Sequence, residues 1–122
     1  MDKSQAINNF WNSFGVPAYD ENSVPQDATY PRITYNVATG SLEDIINMTA
    51  SLWYRSSSWK DIALKSTEIE YTLGIHGGVV LPLDEGKLWI AKGVPFSQRM
   101  SDPDDSIRRI VLNVQAEYLT PF

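Results

Sequence analysis

The sequence predicts an α+β fold: a two-layer sandwich in which two helices cover a mainly antiparallel sheet of four to five strands. Three observations carry the prediction. Apolar residues recur at helical spacing in two stretches, they alternate with polar residues in several others, and the long alternating stretches are polar on their second face. Such a sheet has one face to bury, and helices are what can cover it.

The first helix is read from Ile7, Phe10, Trp11 and Phe14, which fall at i, i+3, i+4 and i+7. Asp2 or Ser4 can cap it, and Gly15 and Pro17 end it. Its aromatic stripe serves either to pack on the sheet or to face a partner. A long connector follows, Val16 to Pro31, rich in proline and acids and without periodicity. Ile33, Tyr35 and Val37 then alternate with polar residues as a half-buried strand does, and Ala38 to Ser41 break the pattern. In the next strand Ile46, Met48, Ala50, Leu52 and Tyr54 share one face, and the two strands are expected to pair antiparallel.

Ser58 and Asp61 resemble a capping box ahead of a second helix. Trp59, Ile62, Ala63, Ser66, Ile69 and Leu73 form its buried face, and Gly74 stands where a left-handed C-cap is expected. Val79 to Leu83 and Leu88 to Lys92 flank Asp84-Glu85-Gly86 as a hairpin, with Pro82 marking an edge strand or a bulge. Val94 to Ser106 reads as a second irregular loop. The last strand carries Ile110, Leu112, Val114, Ala116 and Tyr118 on one face.

Composition bounds the function. The 122 residues, 43% hydrophobic and 20% charged, suit a single globular domain spanning 1–122. The net charge of −5, with ten Lys and Arg scattered along the sequence, argues against direct DNA binding. No cysteine is present, so there is neither a disulfide nor thiolate chemistry, as suits a reducing cytoplasm. The N-terminus lacks the continuous apolar stretch of a signal peptide, and no stretch approaches the roughly 20 apolar residues of a membrane span. A soluble protein made in the cytoplasm is expected.

Catalysis is not expected. His76 is the single histidine, in the glycine-rich run Gly74 to Gly78, and reads as an exposed loop residue. That run lacks the spacing of a phosphate-binding loop and follows a helix rather than a strand. Asp102, Asp104 and Asp105 form one dense carboxylate cluster, but the Gly and distal Glu of a calcium loop are missing, so neither metal nor cofactor is expected. These acids are expected to pair with Arg99, Arg108 or Arg109, within one subunit or across an interface. Trp53 and Tyr54 point to opposite faces of their strand, so the second face is expected to be covered by another subunit. The candidate interface residues are Tyr19, Tyr30, Trp53, Arg99, Asp102, Asp104, Asp105, Arg108 and Arg109.

The opening helix is followed by Gly15-Val16-Pro17-Ala18-Tyr19, then Val24-Pro25, then Tyr30-Pro31-Arg32-Ile33-Thr34-Tyr35, and a long final strand, Arg108 to Leu119, comes after an acidic loop. Over nearly the whole chain this resembles the small tail-terminator (tail-completion, head–tail joining) proteins of long-tailed bacteriophages. The resemblance implies an α+β domain that forms a six-fold ring on the last ring of the tail tube. It would stop tube growth and offer a docking surface to the neck, connector or stopper protein. The implied partners are copies of itself, the tail tube protein and that neck protein, with DNA only passing through the lumen. The implied location is the virion tail, after assembly in the host cytoplasm, and the family brings no catalytic residues. The sequence departs from the family in lacking a strongly charged patch of one sign, which leaves the lumen lining unassigned. Two readings compete: another neck part such as a stopper or head-completion protein, and a small cytoplasmic ligand-binding, enzymatic or regulatory α+β domain.

Overall fold

The computed structural model describes residues 1–39 and 44–119. Two helices, α1 (Lys3–Asn12) and α2 (Lys60–Gly74), accompany six strands: β1 (Ala18–Asp20), β2 (Arg32–Tyr35), β3 (Ile45–Arg55), β4 (Val79–Pro82), β5 (Lys87–Met100) and β6 (Ile107–Leu119). The α+β class and the two helices are as the sequence predicts. The sheet is larger and less regular. It has six strands in the order β1-β2-β3-β6-β5-β4, and β1 runs parallel to β2 while every other pair is antiparallel. It also curls, so that α1 touches both β1 and β4, the two outermost strands.

Local chemistry explains each element. Asp2 caps α1 by accepting the Gln5 N–H at 2.8 Å, and the Gln5 side chain accepts the Asp2 N–H at 3.1 Å, a reciprocal box that satisfies two otherwise orphaned donors. The stripe of Ile7, Phe10, Trp11 and Phe14 is buried, and Phe10 meets Trp11 and Phe14 edge-on, with ring centroids 5.0 and 5.4 Å away. On α2, Ile62, Ser66, Ile69 and Leu73 are buried and pack over β3, β5 and β6. Met48, Ala50 and Leu52 of β3 join Ile110, Leu112, Val114, Ala116 and Tyr118 of β6 in the same core. Each large side chain buried there contributes about 1.5–3 kcal/mol relative to exposure.

Four expectations need correction. The connector after α1 is not wholly irregular. Residues Ala18–Asp20 form β1, held by the Ile33 N–H on Pro17 O (2.8 Å) and the Glu21 N–H on Tyr35 O (2.8 Å). Its outer edge is closed by the Asn12 amide, which accepts the Ala18 N–H at 3.0 Å and donates to Ala18 O at 3.2 Å. Three residues are too few to carry a readable alternation; the pairing makes the strand.

The loop expected at Val94 to Ser106 is mostly strand as well. β5 runs to Met100, interrupted by a bulge in which Gly93, Val94, Pro95 and Phe96 face the single residue Asn113 between the pairs Lys92↔Val114 and Ser97↔Leu112. Gly93 is required at the bulge because a Cβ there would stand 2.9 Å from the Asn113 carbonyl oxygen. Only residues 101–106 lie between β5 and β6.

The expected Ser58 capping box is absent. The N-cap of α2 is Trp59, without a side-chain cap bond, and Ser58 Oγ instead accepts the Lys60 N–H at 3.1 Å. Gly74 is the last helical residue rather than a left-handed cap, and the positive φ angles of that turn belong to Gly77 (72°) and Gly78 (130°). Of the turn expected at Ala38 to Ser41, Gly40 and Ser41 lie outside the described residues. Among the described residues no helix is long and apolar enough to cross a membrane.

Candidate functional site

Antiparallel pairing brings four strand ends together: the start of β2, the end of β3, the start of β6 and the end of β5. Their register sets Arg32, Trp53, Arg109 and Met100 side by side across the sheet. Side chains alternate along each strand, so this row lies on the sheet's outer face, opposite the core. Tyr54↔Arg108 and Arg99↔Ile110, one step away, lie on the core side, next to the start of α2. All five arginines of the chain, Arg32, Arg55, Arg99, Arg108 and Arg109, thus gather at one end of the sheet. The five arginines, far apart in sequence, are neighbours in space.

Every one of these guanidiniums lies over an aromatic ring. Arg32 and Arg55 stand 4.4 and 4.8 Å from the Tyr30 centroid, Arg99 and Arg108 stand 4.8 and 5.3 Å from Trp59, and Arg109 stands 4.5 Å from Trp53. Hydrogen bonds fix the arrangement further. The Trp53 indole N–H donates to Thr34 Oγ1 at 2.9 Å, and Arg109 donates through Nε and Nη2 to Ser51 Oγ at 3.2 and 3.1 Å. Arg108 donates to the Ser57 and Asp105 carbonyls at 2.9 and 3.0 Å, and Arg32 to the Ala28 carbonyl at 3.1 Å. The Nε atoms of Arg32 and Arg108 are buried without a hydrogen-bond partner. Planar forks already held against rings lose little further freedom when they meet an acceptor.

The adjoining loop carries the three aspartates. Within the chain none of them forms an ion pair with Arg99, Arg108 or Arg109, contrary to one half of the expectation. Two of them shape their own loop. Asp102 Oδ1 accepts the Asp104 N–H at 2.9 Å, and Asp104 Oδ1 accepts the Ser106 N–H at 2.8 Å and the Ser106 hydroxyl at 2.7 Å. Among the described residues the ionic contact from this loop is Arg55 to Asp104, at 3.9 Å. The Ser106 hydroxyl above all, then its backbone N–H, hold the Asp104 carboxyl below its ordinary value of 3.8. A depressed folded-state value gives a contribution to stability that is complete above the unfolded value and is lost as pH falls through the folded one. Asp104→Asn is therefore expected to flatten the acid limb of thermal stability measured from pH 6 downwards, while leaving the curve above pH 6 parallel to that of the wild type.

Of the sequence-predicted residues, Tyr30, Trp53, Arg99, Arg108 and Arg109 meet in this rim, and Asp102, Asp104 and Asp105 border it. Tyr19 is half-buried on β1 in register with Thr34, beside the rim rather than in it. Sequence reading missed Arg32, Arg55, Trp59 and Met100. The available signal was positional: each of the four flanks a strand or helix end, and aligning the expected antiparallel strands would have brought them together. His76 is exposed in the turn after α2. Among the described residues no three His, Asp or Glu side chains converge on a possible metal position. An apolar groove between α1 and β4 is lined by Phe10, Val79, Leu81 and Pro82 among others, none with a titratable side chain. No known protein family and no curated protein sequence matches the chain.

Proposed function

We propose that the chain is a structural subunit of a bacteriophage tail terminator, assembling into a ring that caps the tail tube, stops its growth and presents a docking surface to the neck. The observation that supports this reading most is the arginine–aromatic rim. Tyr, Trp, Met and Arg are enriched at protein interfaces, and here they are gathered at one end of the sheet, with each guanidinium over a ring and Arg55, Arg99 and Met100 exposed. The cluster fits docking on other protein subunits, and the resemblance of the opening motifs supplies the identity of those subunits. The virion location, the hexameric ring and the tube and neck partners all belong to this proposal.

The test is to mix the purified protein with tail tubes lacking their cap and, separately, with filled heads. Tube ends are expected to acquire a terminal ring visible by electron microscopy, and heads alone to acquire none. Binding to heads first would favour a stopper role, and a chain that ignores both and stays monomeric would end the proposal.

A further inference from the structure

The rim also bears on which surface of a neighbouring copy it meets, an inference that rests on the ring reading and deepens it. Charge is segregated along the sheet. Five arginines less the three aspartates of the adjoining loop leave the rim at +2, so the remaining residues, five lysines against twelve acids, stand at −7 in a chain of net −5. Two rims repel one another, and so do two bodies. Only rim-to-body approach is attractive at long range. A contact of that kind joins two different patches and is heterologous, the class of interface that generates rings when its rotation closes.

The opposite end of the sheet has the complementary chemistry. β3 starts there, β6 ends there and the β4–β5 turn lies beside it, about 33 Å from the rim along β3 at the usual strand rise. Ile45, paired with Glu117, and Leu119, paired with Lys87, are exposed apolar residues at 61% and 42%. Glu117 and the turn residue Glu85 bring negative charge beside them; Asp84 is paired with the N-terminal amine, and Lys87, opposite Leu119, and Lys3, over the Tyr118 ring, are the cations nearby. At the rim Met100, exposed at 41%, lies among the stacked arginines. We infer that each copy seats its arginine–aromatic rim on the acidic end of the next, with Met100 against Ile45 and Leu119, and with Arg55 and Arg99 facing Glu85 and Glu117.

Two charge-reversed proteins test the contact: Arg55→Glu/Arg99→Glu and Glu85→Lys/Glu117→Lys. All four positions lie outside the core, and circular dichroism confirms folding. In sedimentation and native mass spectrometry, each double variant alone is expected to stay monomeric under conditions where the wild type assembles. Their equimolar mixture is expected to reassemble in alternation, because each reversed patch then finds its complement. The wild-type apparent Kd is expected to rise at least about tenfold between low and high salt. Assembly by either double variant alone, or a mixture that stays monomeric, overturns the inference while leaving the ring reading intact. A wild-type chain that never assembles overturns the ring reading and this contact with it.

Discussion

Trp11→Ala is expected to remove about 3–5 kcal/mol of unfolding free energy, the usual cost of truncating a large buried aromatic. Trp11 is 1% exposed and packs against Phe10 and Phe14, with centroids 5.0 and 6.4 Å away. The effect exceeds the loss of one contact set because of where α1 sits. It touches both β1 and β4, so it closes the open side of the curled sheet. Truncation to alanine leaves a cavity in the core between those edges. A domain of this size has about 5–15 kcal/mol of stability in all, so the variant should lose a large share of it and unfold at a markedly lower urea concentration than the wild type. Urea melts monitored by far-ultraviolet circular dichroism check this. A loss under about 1 kcal/mol would mean that α1 is an accessory rather than a closing element.

Trp11 also shows why the core was legible. Its helix reveals itself through spacing alone, and so do α2 and the alternating faces of β3 and β6, because one face of each element is buried and the other is not. What stayed hidden depends on partners distant in sequence. β1 has only three residues and exists through Ile33 and Tyr35. β5 passes through Gly93 and Pro95, residues that read as a stop, because Asn113 donates its amide to Pro95 O at 2.9 Å and bridges the bulge. The rim was half legible for the same reason. Arg108 and Arg109 stand together in sequence, whereas Arg32, Arg55 and Arg99 join them only through the β2-β3-β6-β5 register. The charge sum of −5 concealed that all the arginines share one end, since a net value carries no position.

Gly93→Val is expected to be the next most damaging substitution, at about 1–3 kcal/mol or somewhat above, the range for forcing extra atoms into a packed site. Gly93 is buried, and an added Cβ would stand 2.9 Å from the Asn113 carbonyl oxygen, 3.0 Å from its carbonyl carbon and 3.1 Å from its Cβ. Two of those atoms are backbone of the central strand β6 and cannot swing away as a side-chain end could. Gly74 is the matched control. A Cβ there would meet the flexible Lys92 side chain at 3.4 Å, at the last turn of α2, where alanine is a better helix former than glycine. Gly74→Ala should therefore leave stability unchanged or slightly raised in the same urea melts. The damage from Gly93→Val should also propagate. The strand beyond the bulge carries Arg99 and Met100 into register with Ile110 and Arg109, so a displaced bulge moves two members of the rim relative to the other four arginines. Trp59 fluorescence is confounded by the other three tryptophans; the amide resonances of Arg99, Met100 and Arg109 are not. Shifts confined to residues 91–96 would show that the rim is held by β3 and β6 alone, and shifts reaching Arg109 that the bulge sets its geometry.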